Sequence, residues 1–174
     1  MDIGSHCLHI PNINDQADVK KAISFSKYPP IGQRGFSPFT RAGNYSIENA
    51  KRITEQANNS VLTAVHIEGV EAIRNIESIL AVKELDIVFI GLFDISKSLG
   101  IPGEVDDPRV LKALKEITIK TSKAGKYPGT IANSPDQFKD FIDCGIRYIT
   151  YSVDCNLLKA GYKKIGEEFN KYRK

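Results

Sequence analysis

Short apolar runs alternate along this chain with longer amphipathic segments, and that rhythm constrains the fold more than any other feature. Cys7–Ile10 precedes Asp15–Ser26, Val61–Ile67 precedes Val70–Leu80, and Ile87–Ile90 precedes Pro108–Ser122. Gly129–Ala132 then precedes Pro135–Asp143, and Tyr148–Val153 precedes Asn156–Phe169, so strand and helix take turns through about five βα units. The apolar runs are rich in β-branched residues and apolar at nearly every position, the pattern of parallel strands covered on both faces. Ile73, Ile76, Ile79 and Leu80 recur at intervals that give a helix one apolar face, as do Val110, Leu114, Ile117 and Thr121. Ser134 before Pro135 predicts a helix N-cap, and Gly145 predicts a helix stop. Tyr28–Phe39 reads as an ordered loop rich in proline and glycine, followed by a helical segment from Ile47 to Asn58. With no repeat, low-complexity tract or linker, residues 1–174 read as one domain.

Length sharpens the fold prediction. An eight-stranded (β/α) barrel takes about 250 residues and rarely fewer than about 200, so 174 residues predict an incomplete α/β barrel. At 41% hydrophobic and 26% charged, the composition is that of a globular protein. The net charge of +3 comes from scattered lysines, ending in Lys163, Lys164, Lys171, Arg173 and Lys174 on a final helix. No basic face interleaved with aromatics appears, so a nucleic-acid partner is not expected. Cys7, Cys144 and Cys155 are odd in number and lack zinc-like spacing, which suits a reducing cytoplasm better than a disulfide framework. Met1–Ile10 lacks the pattern of a signal peptide, and no apolar stretch reaches the roughly 18 residues of a membrane span, so no membrane partner is expected.

Parallel βα folds bind ligands beyond the carboxyl ends of their strands. Asn12, Glu68, Asp94, Asn133 and Asp154 stand at those ends, which predicts a rim of oxygen-bearing side chains. Glu68 and Asp94 follow neighbouring strands and would bring two hard carboxylate ligands together, suited to magnesium or manganese, with cobalt a further option. Either acid could instead simply cap the helix that follows it. His66 lies two residues before Glu68 and shares its face, so it could touch the site or serve as a hydrogen-bonded core residue. His6 and His9 are assigned no role. The lysines lie mostly in helices and loops, with Lys97 the nearest candidate, which disfavours Schiff-base chemistry, and no nucleophile elbow, Walker loop or dinucleotide fingerprint follows a strand.

The segments YPPIGQRG (Tyr28–Gly35), VHIEGVEAIRNIESI (Val65–Ile79) and FIGLFDISKSLGIPGEVDDPRV (Phe89–Val110) closely resemble the HpcH/HpaI aldolase/citrate lyase family. So do AGKYPGTIAN (Ala124–Asn133) and CGIRYITYSVDCNLL (Cys144–Leu158), in the family's order across essentially the whole chain. The resemblance implies a TIM-type barrel of the phosphoenolpyruvate/pyruvate-binding type, here its C-terminal part. It implies a class II aldolase that makes or breaks a carbon–carbon bond next to pyruvate, with a keto acid and an aldehyde as small-molecule partners. Glu68 and Asp94 match the family's ligands to a divalent cation, and Gly91, Phe93 and Asp94, with His66, fall where substrate is held.

Asp2 looks like the aspartate that the family pairs with a catalytic histidine to move protons. The resemblance puts that histidine, and an arginine that polarises the carbonyl, on strands upstream of Met1. The chain departs from the family at Gly91-Leu92-Phe93-Asp94, where Gly-Pro-Ala-Asp is frequent, and at His66, where Gln or Met is; Phe93 would crowd the pyruvate site. Two further readings stay open: a fragment or split-barrel subunit completed by an N-terminal partner, and a citrate-lyase-like or citrate-synthase-like enzyme. Homo-oligomerisation is expected, both from the resemblance and from the open barrel edge.

Overall fold

A computed structural model of the protein describes residues 1–173. The chain runs β1 (Cys7–Ile10), α1 (Gln16–Ser26), α2 (Ala50–Ser60), β2 (Leu62–Ile67), α3 (Val70–Arg74), α4 (Ile76–Leu80) and β3 (Ile87–Ile90). It continues through α5 (Leu92–Ser98), α6 (Pro108–Lys123), β4 (Tyr127–Ala132), α7 (Asp136–Cys144), β5 (Tyr148–Tyr151) and α8 (Asp154–Asn170). The strands form one parallel sheet in the order β1-β2-β3-β4-β5. Because that order never doubles back, the sheet has the winding of a barrel wall rather than of an open doubly wound sheet.

Its curvature can be read from one hydrogen bond. In a flat sheet, four strand spacings of about 4.8 Å would hold β1 and β5 roughly 19 Å apart, more than two side chains can bridge. Yet His9 on β1 and Tyr148 on β5 meet, Nε2 to hydroxyl, at 2.9 Å. The sheet is therefore curled into a half-barrel with a concave and a convex face.

The two faces divide the residues by parity. Val65, Ile67, Val88, Ile90 and Ala132 point to the convex side, where they pack with Val19, Ile23, Ile76, Ile79, Leu114, Ile117 and Phe141 from the helices in the main apolar core. The concave side carries His9, His66, Phe89 and Tyr148. Register explains the sharing: His66, Phe89, Gly129 and Tyr148 are paired in line across β2 to β5.

Strand positions agree closely with the sequence reading; several helix details differ. The single helix expected over Val70–Leu80 is broken at Asn75, whose backbone leaves helical geometry (φ −92°, ψ 8°) while its side-chain amide donates to the Asn14 carbonyl at 3.0 Å. The short α5 immediately after β3 was not anticipated. At α7 the cap is Pro135 rather than Ser134, with no side-chain cap bond, whereas Gly145 does end the helix in the left-handed region (φ 100°). The helical stretch anticipated from Ile47 begins at Ala50, and α8 ends at Asn170. Of the basic residues expected on α8, Lys171 forms the C-cap, Arg173 lies beyond the helix, and Lys174 is outside the described residues.

The loop after α1 is as ordered as its composition suggests. Tyr28 N–H donates to Asn58 Oδ1 at 2.7 Å, and Asn58 Nδ2 donates back to the Tyr28 carbonyl at 2.9 Å. Lys27, almost fully buried, donates to the carbonyls of Asn58 and Val61, capping the C-terminal end of α2.

Candidate metal and substrate site

At the carboxyl ends of β1, β2 and β3 the chain builds a cavity of about 240 Å³ lined by Asn12, Ile13, Asn14, Glu68, Gly69, Asp94, Lys97 and Ser98. Three of the five anticipated rim residues gather there: Asn12, Glu68 and Asp94. Asn133 instead lines a neighbouring apolar cavity with Phe93, Leu111 and Phe141, and Asp154 opens α8, where its carboxylate accepts from the Cys155 N–H.

Glu68 does not cap α3. That helix begins at Gly69 with no side-chain cap bond, and the Glu68 carboxylate turns the other way, Oε1 accepting from the Asn12 main-chain N–H at 2.8 Å. Asn12 makes this possible by adopting left-handed backbone (φ 57°), a conformation that asparagine tolerates better than most residues. Gly91 completes the seat: a Cβ there would lie 3.0 Å from Glu68 Cβ and 3.3 Å from Oε2. With one oxygen held and the side chain only 15% exposed, Glu68 is fixed before any ligand arrives. Asp94 sits in the first turn of α5, where the helix dipole favours a carboxylate, with Lys97 Nζ 3.9 Å from its Oδ1.

Behind Glu68 the concave face supplies a line of polar rings. His66 Nδ1 stands 3.6 Å from Glu68 Oε2, His66 Nε2 meets His9 Nδ1 at 3.0 Å, and His9 Nε2 meets the Tyr148 hydroxyl at 2.9 Å. Phe89 stacks on His66 with ring centroids 4.8 Å apart. Burial pushes the pKa of His66 below the ordinary histidine value, against the opposing pull of Glu68 and Asp94. Burial and the neighbouring His66 likewise depress His9, while burial raises the Tyr148 phenol.

Other anticipated site residues are placed elsewhere. Phe93 is half exposed and faces the apolar cavity toward α6 and α7, not the one that Glu68 and Asp94 share. Asp2 lies at the opposite, amino-terminal end of the strands, where Arg34 Nη2 donates to its Oδ1 at 2.8 Å and the guanidinium stacks over Tyr28. His9, to which the sequence reading gave no role, is central to the ring line; its place beside His66 follows from strand register and sheet curl, which the sequence does not display. Among the described residues, no group of three or more His, Cys, Asp and Glu side chains converges as a ready metal cage, and no helix is long and apolar enough to cross a membrane.

A curled parallel sheet with helices on its convex side and acids at its strand ends defines part of a (β/α) barrel. The chain belongs to the HpcH/HpaI aldolase/citrate lyase family, whose description matches residues 1–160. It is 31% identical over 175 aligned positions to a 4-hydroxy-2-oxo-heptane-1,7-dioate aldolase of Salmonella heidelberg (strain SL476), covering 100% of this chain and 66% of that protein. The crystal structure of an HpcH/HpaI aldolase from Desulfitobacterium hafniense DCB-2 superimposes with a TM-score of 0.89 at 26% identity, over 98% of this chain and 65% of that one. A family protein from Burkholderia cenocepacia J2315 matches with a TM-score of 0.88 at 26% identity, over 97% and 66%. This chain thus spans about two thirds of the length of its relatives.

Proposed function

We propose that the chain carries the metal and enolate half of a divalent-metal-dependent carbon–carbon lyase, an aldolase that cleaves or forms 2-keto acids with pyruvate as the enolate component. The observation that carries this reading is the shared cavity of Glu68 and Asp94, with Glu68 immobilised by the Asn12 N–H. Two carboxylates in an open pocket fit a cation such as magnesium or manganese, which keeps several waters and takes one or two protein carboxylates. When bound, that cation supplies Lewis acidity toward the keto acid's carboxylate and C2 carbonyl.

The protein's own residues do the rest. Asn12 keeps Glu68 from swinging away, and Gly91 leaves it room. The first turn of α5, Leu92–Asp94, presents main-chain N–H groups without intrahelical partners, suited to a substrate carboxylate. Phe93 faces the apolar cavity beside this turn and leaves the cavity of Glu68 and Asp94 uncrowded. Asp2, paired with Arg34 at the amino-terminal ends of the strands, does not line the cavity that Glu68 and Asp94 share.

Self-association is supported by α8. Leu158, Tyr162, Ile165 and Phe169 recur at alternating spacings of four and three and are 62%, 73%, 66% and 67% exposed, an apolar stripe with nothing over it in the single chain. A second reading, that a further segment completes the barrel, is supported by the unpaired outer edges of β1 and β5.

The test is metal-dependent exchange of pyruvate methyl protons in heavy water, with manganese or magnesium, followed by aldehyde addition. Exchange by the chain alone supports the first reading, and exchange only when further βα units are supplied supports the second. No exchange under either condition overturns both.

A further inference from the structure

With both imidazoles uncharged, the Glu68 carboxylate selects one polarity for the ring line behind it, and that polarity assigns work to two residues far from the rim. A carboxylate oxygen faces His66 Nδ1 at 3.6 Å, and a bare nitrogen lone pair aimed at that charge would be repelled, so Nδ1 carries the hydrogen. An uncharged His66 then has a bare Nε2. At 3.0 Å from it, His9 Nδ1 must donate. His9, uncharged as well, therefore presents a bare Nε2, and the 2.9 Å contact requires the Tyr148 hydroxyl to be the donor. Every hydrogen in the line points toward Glu68.

The backbone is arranged to allow this. Tyr148 reaches across the concave face because its in-register neighbour on β4 is Gly129; a Cβ at 129 would lie 2.8 Å from Tyr148 Cδ1 and 2.9 Å from the Tyr148 carbonyl oxygen. Phe89 is fixed between the two strands, stacked on His66 and edge-on to both His9 and Tyr148. The hydrogen-bonded string crosses the whole width of the sheet, from β5 through β1 and β2.

We propose that Tyr148 and His9 are positioning residues that hold His66 in the Nδ1–H tautomer, so that its N–H is aimed at the Glu68 oxygen not already held by Asn12. Glu68 then has one oxygen held by the Asn12 N–H at 2.8 Å and the other faced by a neutral N–H 3.6 Å away, which favours one orientation of the carboxylate without neutralising it. The string stands on the geometry of two uncharged rings; its effect on cation binding rests on the aldolase reading above.

The experiment is nitrogen-15 NMR of the imidazole rings in the metal-free full chain, beside manganese binding followed by electron paramagnetic resonance. Tyr148→Phe is the informative variant, because it deletes one hydroxyl and keeps the ring that packs on Phe89 and Gly129. In the unsubstituted protein both His9 and His66 are expected to carry hydrogen on Nδ1 with a bare Nε2. In the variant His9 should shift toward its Nε2–H tautomer, and manganese should bind about tenfold more weakly, the usual effect of losing an outer support of a metal ligand. His9 carrying its hydrogen on Nε2 in the unsubstituted protein, or ring signals unmoved by Tyr148→Phe, would overturn the proposal. Absence of Glu68-dependent manganese binding in the unsubstituted protein would instead defeat the metal reading, with the ring signals still deciding the string.

Discussion

The convex and concave faces of the same sheet are made of different chemistry. On the convex side Val65, Ile67, Val88 and Ile90 are essentially inaccessible and lie under helices in a core of aliphatic side chains. On the concave side the corresponding positions hold two imidazoles, a phenol and one phenyl ring, joined by directional bonds. A shift of one residue along a strand separates the two. Stability thus resides mainly on one face and site geometry on the other, and the division can be tested by substitution.

The largest loss of stability should come from the convex side. Ile79→Ala removes a fully buried side chain of α4 and should cost about 2–5 kcal/mol of unfolding free energy in urea titration, with manganese affinity unchanged; a change in affinity would break the division. Glu68→Gln should do the reverse, weakening manganese binding about 100-fold, roughly 2.7 kcal/mol, while leaving the urea midpoint near that of the unsubstituted protein.

Gly129→Ala tests the seam between the faces. Its new methyl would strike Tyr148 backbone and ring, so a loss of about 1–3 kcal/mol is expected, accompanied by displacement of the Tyr148 ring in NMR spectra. The smallest effect is pH dependence. Burial lowers the pKa of His9, which faces His66, Tyr148 and Phe89. The unfolded chain therefore takes up a proton more readily than the folded one below about pH 6.5. Stability from this group is complete above that value and is lost as pH falls, and His9→Leu should flatten the fall in melting temperature on the acid side.

Much of this fold was legible in the sequence because parallel strands buried on both faces leave a strong local signature. Cys7–Ile10 and Ile87–Ile90 were bounded correctly to the residue. Glu68 and Asp94 were legible as strand-end acids, and both line one cavity. What escaped was of two kinds. Local competition decided the helix details: Asn75 spends its amide on Asn14, and the seven-residue α5 is too short to show a period. The ring line escaped because it joins residues 139 positions apart, and only the curl of the sheet brings them together. Parity placed His66 and Glu68 on one face; nothing in the residues said that His9 would share it or how tightly that face would close.

The left-handed turn at Asn12 gives the site a built-in gauge. Its amide proton is bonded to Glu68 and to nothing else in the strand ladder, so any ligand that draws the carboxylate away must release that proton to solvent. Hydrogen exchange at this single amide would therefore read whether an occupant of the rim leaves Glu68 seated or pulls it away, and would do so in a protein that turns nothing over.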